Sequence, residues 1–420
     1  MPVTIGGMGE GRREASDPLP LAVCALGLAQ IVAWGTSYYC LGVLAGPIAA
    51  DTGWSSSLVY FGFTLALLTM GGVSSAVGRA IDRHGARAVM ALGAVLVSAG
   101  LALLALVRSE GAYLAVWVLL GLGMRMSLYD AAFAALVQVV PSRGRRAISY
   151  LTLFGAFAST VFWVVGHYLN QAVGWRQTLV AFAVINLALC LPLNWFGLAR
   201  REAKGTAAAP AEAGPANDGP PLAGRMRPVA MALFALVMSL NGFVFAVVTV
   251  QLVPLLEAAG LAVAAAVWVA SMKGFAQFAG RVIEIFFGRN LRAITIARIA
   301  IGILPLSFVL LLFAGGNLYA VLAFTLLMGA SQGVITIVRG AVPLALFGAA
   351  GYGAVLGLLA TPILIVNAVS PTLFALIVDR WGWHVAQVVL VAVAAASAAA
   401  MEVMSRWYER NRGRARAHPG

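Results

Sequence analysis

The sequence predicts an all-α membrane protein: twelve transmembrane helices in two pseudo-symmetric six-helix bundles. Three observations carry that prediction. The 420-residue chain is 61% apolar and only 10% charged, with a mean hydropathy of +0.92, whereas roughly a quarter of a soluble chain is charged. Too little polar surface is left to cover a water-soluble body, so the natural solvent is lipid. The apolar residues come in runs of about 20 or more, the length a helix needs to cross a bilayer. The connections between runs alternate between basic and nearly uncharged, which is how membrane proteins write their orientation.

The runs fall at 20–48, 56–78, 88–107, 111–140, 147–169, 177–199, 228–256, 262–287, 293–314, 317–345, 352–378 and 383–405. Span 1 follows Arg12 and Arg13 and has no short apolar core with a small-residue cleavage site, so it reads as a mature helix. It carries Gln30, Trp34 and Tyr38 at steps of four, with Thr36 and Tyr39 beside them, an aromatic stripe that suits packing as well as binding. Span 2 ends in a basic turn, and span 3 is apolar throughout. Span 4 holds Arg125, Tyr129 and Asp130. On an unbroken helix Arg125 and Tyr129 share a face while Asp130 lies about 140° away, so Asp130 is expected to meet another helix or take a proton. Spans 5 and 6 are separated at Gly174-Trp175.

Between Arg200 and Arg227 the chain is rich in Ala, Pro and Gly and too polar to span, so it reads as a flexible linker. The domains are therefore 1–199, a six-helix bundle; 200–227, the linker; and 228–420, a second bundle with a basic tail. Span 7 has Asn241 beside Gly242, and span 11 has Asn367 shortly after Pro362, either able to break a helix at a gate or to glue two helices. Span 8 aligns Lys273, Gln277 and Arg281 on one face, with Glu284 one turn on as a partner for Arg281 or a second proton site. Span 9 is apolar. Span 10 aligns Gln332, Thr336 and Arg339, the last also placed to anchor at an interface. Span 12 opens at Gly382-Trp383. Pro47 and Gly53 against Pro254 and Gly260, and Gly174-Trp175 against Gly382-Trp383, repeat at an offset of about 207 residues, as parallel duplication of one bundle requires.

The basic residues bear on orientation and partners. The net charge is +13, yet the cations cluster in the connections after spans 2, 4, 6 and 8 and after span 12, without the aromatic interleaving of a nucleic-acid surface. Odd-numbered connections hold only Arg108, Arg176 and Arg380. Both termini and the linker are therefore expected in the cytoplasm, with the chain in the cell membrane, the inner one if the cell is bacterial. Cys24, Cys40 and Cys190 have no metal or redox spacing and read as packing residues. His84, His167, His384 and His418 are scattered, and no nucleotide-binding, metalloprotease or nucleophile-elbow motif stands in context, so neither an enzyme, an ATP-driven pump nor a cofactor is expected.

After span 2 the chain reads Gly78-Arg79-Ala80-Ile81-Asp82-Arg83-His84-Gly85-Ala86-Arg87. This resembles the G-x-x-x-D-R-x-G-R-R/K signature of the major facilitator superfamily, with Ala86 in place of one basic residue. The resemblance implies that Gly78, Asp82, Arg83, Gly85 and Arg87 form a conformational latch between the two halves, and that spans 1, 4, 7 and 10 line a central cavity. Span 8, from Phe275 to Glu284, is similar to the eighth helix of monocarboxylate and oxalate porters, where an arginine at the place of Arg281 meets a substrate carboxylate. Those porters often carry an acid one turn earlier; here that residue is Gln277, so their proton coupling does not transfer.

Charges inside spans are functional candidates by default. Arg125, Lys273, Arg281 and Arg339 outnumber Asp130 and Glu284, and an anion offsets such a surplus. The expectation is an alternating-access secondary transporter of a small organic anion, a monomer in the bilayer, bound through Arg281, Gln277, Lys273, Arg125, Tyr129, Gln332, Arg339, Trp34, Tyr38 and Asn241. An acid in a low-dielectric span favours its neutral form, which makes Asp130, then Glu284, the expected proton carrier. The alternative is a proton-coupled exporter of toxic amphipathic compounds, served by Asp130 with Trp34, Tyr38 and Tyr39.

Overall fold

A computed structural model describes residues 17–199 and 221–417, among which there is no β-strand. Residues 200–220 of the expected linker lie outside the described residues, as do 1–16 and 418–420. The first half runs α1 (Pro18–Ala33), a π-helical turn (Trp34–Tyr38), α2 (Leu41–Thr52), α3 (Ser56–His84), α4 (Ala86–Leu106), α5 (Glu110–Ser127), α6 (Tyr129–Val139), α7 (Gly144–Gly155), α8 (Ala158–Ile185), a second π-helical turn (Asn186–Cys190) and α9 (Leu191–Gly197). The second runs α10 (Met226–Ala258), α11 (Val263–Phe287), α12 (Ala293–Leu312), α13 (Leu318–Phe347) and α14 (Tyr352–Ala417). Met226 and Arg227 thus belong to the first turn of α10.

Nine stretches among the described residues are long and apolar enough to cross a membrane. Two of them, Pro141–Gly197 and Tyr352–Asn411, each hold two crossings. They divide at Gly174 (φ 79°, ψ 167°) and Gly382 (φ 80°, ψ 170°), where a non-helical backbone open to glycine turns the chain back. The same dihedral pair at equivalent places in the two halves is the duplication written in backbone geometry. The twelfth crossing is α11, whose apolar character is interrupted by Lys273, Gln277, Arg281 and Glu284.

Departures from simple helices in spans 1 and 4 shape the interior. Span 1 widens into a π turn at Trp34–Tyr38, where Thr36 Oγ1 and Ser37 Oγ bond back to Val32 and Ala33 carbonyls, the kind of back-bonding that distorts a helix. Span 4 breaks at Leu128, whose backbone is extended (φ −84°, ψ −171°) between α5 and α6. The break frees carbonyls, and the fully buried Gln30 donates to Ser127 O at 2.8 Å. Asn241 breaks nothing: α10 and α14 continue through Asn241 and Asn367. With its amide turned to satisfy its neighbours, Asn367 donates to Gly242 O at 2.9 Å and glues span 7 to span 11.

The halves meet most closely toward the end that carries the basic connections. Thr361 Oγ1 donates to Gly71 O at 3.1 Å at mid-depth, and nearer the basic end Gly78 lies so close to Gly353 that a Cβ would strike its carbonyl oxygen. Phe133 and Ile148 of the first half and Val338 and Leu346 of the second share one buried core there.

Candidate functional site

Between the halves lies a cavity of about 150 Å³, with walls from spans 1, 2, 4 and 5 on one side and 7, 8, 10 and 11 on the other. The first half supplies an aromatic wall. Trp34 and Tyr38 approach to 4.8 Å between ring centroids, Tyr129 lies 5.0 Å from Trp34, and Tyr39 joins them at 6.0 Å. The π turn brings Tyr39, named in the sequence only for the alternative exporter, onto the lining face. Trp34 is fixed by its own chain of bonds: its indole N–H donates to Gln30 Oε1 at 3.0 Å, and Gln30 is tied to the break in span 4.

The second half supplies polar groups. Arg281, 5% exposed, donates through Nη1 to Thr152 O at 2.6 Å, across the half boundary, and through Nε to Gly333 O at 3.4 Å. Gln277, Gln332, Thr336, Arg339 and Asn241 also line the cavity. Asn241 is held by a bond to Ser397 Oγ at 3.2 Å. Lys273 does not line the cavity: its ammonium sits over the Phe245 ring at 5.7 Å, and Phe245 is the lining residue. The stripe of span 8 thus divides, two members facing the cavity and the third behind an aromatic side chain.

Toward the basic end the lining closes with an ion cluster. Asp130 Oδ2 accepts from Arg339 Nη2 at 2.7 Å and lies 3.6 Å from Arg125 Nη1, while Arg125 Nε donates to Ser74 Oγ at 2.6 Å. The 140° separation expected of Arg125 and Asp130 fails because the helix is broken between them at Leu128. Asp130 does meet another helix, as expected, but it sits between two guanidinium groups rather than alone in a low-dielectric span. The premise for reading it as an isolated proton carrier is therefore absent.

Glu284 lies outside the cavity lining and does not pair with Arg281. It accepts from Ser149 Oγ at 2.9 Å and approaches Arg145 Nη2 at 3.6 Å. Arg145 also donates to Gly288 O at 3.0 Å and Leu291 O at 2.8 Å, in the turn that follows α11. On the opposite flank Asp82 accepts backbone N–H bonds from Gly353 at 2.9 Å and Ala354 at 2.7 Å, the first turn of α14, where a carboxylate complements the helix dipole. Arg87 stacks over Trp195 at 4.1 Å within its own half, and Arg83 is exposed. Of the residues expected to form a latch, Gly78 and Asp82 reach the other half; Gly85 (φ 84°) makes the turn between α3 and α4.

Two helical bundles that close at one end around a central polar cavity define the architecture of an alternating-access membrane transporter. The sequence model of the Major Facilitator Superfamily matches residues 26–312, and the chain belongs to that superfamily of secondary transporters. Among solved structures the fold is similar to the human organic anion transporter MFSD10 (TETRAN), at 16% identity and a TM-score of 0.71, covering 92% of this chain and 100% of that one. It is similar also to the proton:xylose symporter XylE, at 14% identity and a TM-score of 0.71, covering 91% and 95% of the two chains. The transporter FucP in its outward conformation matches at 14% identity and a TM-score of 0.69, covering 92% and 99%. At such identities these likenesses concern the fold alone. No curated protein matches the sequence.

Proposed function

We propose that this transporter carries a small organic anion, a carboxylate, with Arg281 as its electrostatic anchor. The supporting observation is the balance of charge on the cavity wall. Arg125, Arg281 and Arg339 line it with a single carboxylate, Asp130, which is already shared by two of them. Arg281 bonds to the Gly333 and Thr152 carbonyl oxygens, and no carboxylate pairs with it among the described residues. A planar guanidinium offers a carboxylate two parallel bonds, and the aromatic wall opposite covers an apolar body. A volume near 150 Å³ is that of an engineered cavity able to bind benzene, which sets the scale at a small acid. The likeness of span 8 to monocarboxylate and oxalate porters points the same way. The pairing of Asp130 argues against the exporter of toxic amphipathic compounds, which needs a free acid in the cavity.

In this reading the basic connections face the cytoplasm, together with both termini and the linker between residues 1–199 and 228–420. The closed end is then the inner one, and the anion enters from outside.

The test is a panel of radiolabelled mono- and dicarboxylates and tetraphenylphosphonium, applied to proteoliposomes of wild type, Arg281→Gln and Arg281→Lys. Loss of a buried bidentate contact should weaken carboxylate binding about a hundredfold or more, and Arg281→Lys should transport poorly because the fork is lost. Unchanged affinity in a folded Arg281→Gln protein, or a wild type that takes only the lipophilic cation, would replace this reading with the exporter.

A further inference from the structure

Gln332 is 2% exposed, lines the cavity, and has neither its amide nitrogen nor its amide oxygen paired within the protein. A buried amide without partners loses its hydrogen bonds to water and gains none, an arrangement kept where a ligand supplies them. Its position is fixed by close helix packing. A Cβ on Gly333 would strike the backbone oxygen of Gln277, and one on Gly280 that of Ala330, so α11 and α13 touch backbone to backbone here. The same contact lets Arg281 Nε reach Gly333 O at 3.4 Å. The anchor for a carboxylate and an unpaired amide, one residue from that carbonyl, are therefore side by side on one wall. Nearby, Asp130 Oδ1 is also buried and unpaired, an acceptor that only a donor on the ligand or a water can satisfy.

Resting on the organic-anion reading above, we propose that Gln332 is a specificity-determining residue for a second, neutral polar group on the substrate. That group stands beside the carboxylate and both donates and accepts hydrogen bonds: a hydroxyl or a carboxamide. A carboxylate held in the fork of Arg281 presents its neighbouring carbon to Gln332, whose N–H and C=O then pair with the substituent. An acid with an alkyl group there leaves both amide atoms unpaired, and it is rejected by the desolvation cost of the site rather than by shape.

The experiment is calorimetric titration of the purified full chain with butanoate, 2-methylbutanoate and 2-hydroxybutanoate, the last two differing by methyl against hydroxyl. Wild type should bind the hydroxy acid about tenfold or more tightly than the methyl acid. Gln332→Met, an unbranched replacement of similar length, should bring that ratio close to one, and Arg281→Gln should weaken all three together. A wild type that does not prefer the hydroxy acid overturns the proposal without any variant having to fold. So does a preference that survives in Gln332→Met, since the amide is then satisfied by water. If none of the three acids binds while tetraphenylphosphonium does, the organic-anion reading fails and this inference falls with it.

Discussion

Replacing Asp130 by Asn removes the one carboxylate that stands between Arg339, at 2.7 Å, and Arg125, at 3.6 Å. Asp130 and Arg125 are 7% and 2% exposed, so solvent screens little of what is lost. At an effective dielectric of about 20, two unit charges 4 Å apart interact by on the order of 4 kcal/mol. Stripping one partner from a buried pair costs about 3–5 kcal/mol in practice. Arg125 keeps its bond to Ser74 Oγ, but two guanidinium groups are left facing each other. For a chain of this length the loss corresponds to a fall in Tm of about 4–6 °C, measured by thermal unfolding in detergent. Adding Arg339→Gln to Asp130→Asn should recover part of the loss, because the like-charge repulsion goes with it, and the coupling in the double-mutant cycle should be about 2 kcal/mol. The pair joins the two halves, so Asp130→Asn should also raise access to the cavity from the basic end. An unchanged Tm with no coupling to Arg339 would refute the cluster. Intact pH-gradient-driven accumulation in Asp130→Asn would remove Asp130 as a proton-handling residue.

Asp82→Asn removes the charge and one of two acceptors from the first turn of α14. Because Asp82 is exposed, the latch should weaken by only about 1–2 kcal/mol; turnover should change while substrate Kd stays within a few-fold, and complete loss of binding in the folded variant would argue against a latch. The Arg143 guanidinium, bonded to Asp17 at 2.6 and 2.8 Å, lowers that carboxyl from 3.8 to about 2. A depressed folded value stabilises above the unfolded one and is lost as pH falls toward 2, so the Tm gap between wild type and Asp17→Asn should be present at pH 7 and close below pH 3.8. Both groups are partly exposed, which limits the gap to about 1 kcal/mol or less.

The parts of the fold that depend on composition and period were legible in the sequence. Apolar length marks the spans, and the Gly174-Trp175 and Gly382-Trp383 repeat marks the two places where one long helical stretch becomes two crossings. The polar stripes of spans 8 and 10 follow from helical period alone, and Gln277, Arg281, Gln332, Thr336 and Arg339 do converge on one cavity. The misread geometry lies where a helix departs from that period. No Gly or Pro announces the break at Leu128, so the angle between Arg125 and Asp130 came out wrong. The π turn that swings Tyr39 inward has at best a trace in Gly35, Thr36 and Ser37. The partner of Arg281 in the first half is the Thr152 carbonyl, and a backbone acceptor has no side-chain signal at all. Lys273 shares a helical face with Arg281, yet its long stem lets the ammonium settle on Phe245, a tertiary choice that spacing does not decide.

The closed end of the molecule is held by two contacts of opposite sign, and the duplication does not reproduce one from the other. On one flank a carboxylate, Asp82, sits on the N–H groups that begin α14; on the other a guanidinium, Arg145, sits on the Gly288 and Leu291 carbonyls of the turn that follows α11, with Glu284 beside it. Asp82 complements the helix terminus it meets. Neither touches the cavity, so neither by itself lets a substrate influence the closure. Arg281 and Arg339 do: both line the cavity, and both bond across the half boundary, to Thr152 O and to Asp130. Opening the closed end must break these two bonds and leave two buried guanidinium groups to be satisfied. An anion already seated on Arg281 offsets that cost in the open state more than in the closed one, where Thr152 O holds part of the same group. A ligand shifts a conformational equilibrium only through such a difference in affinity between states, and in the proposed function these two arginines are where the difference arises.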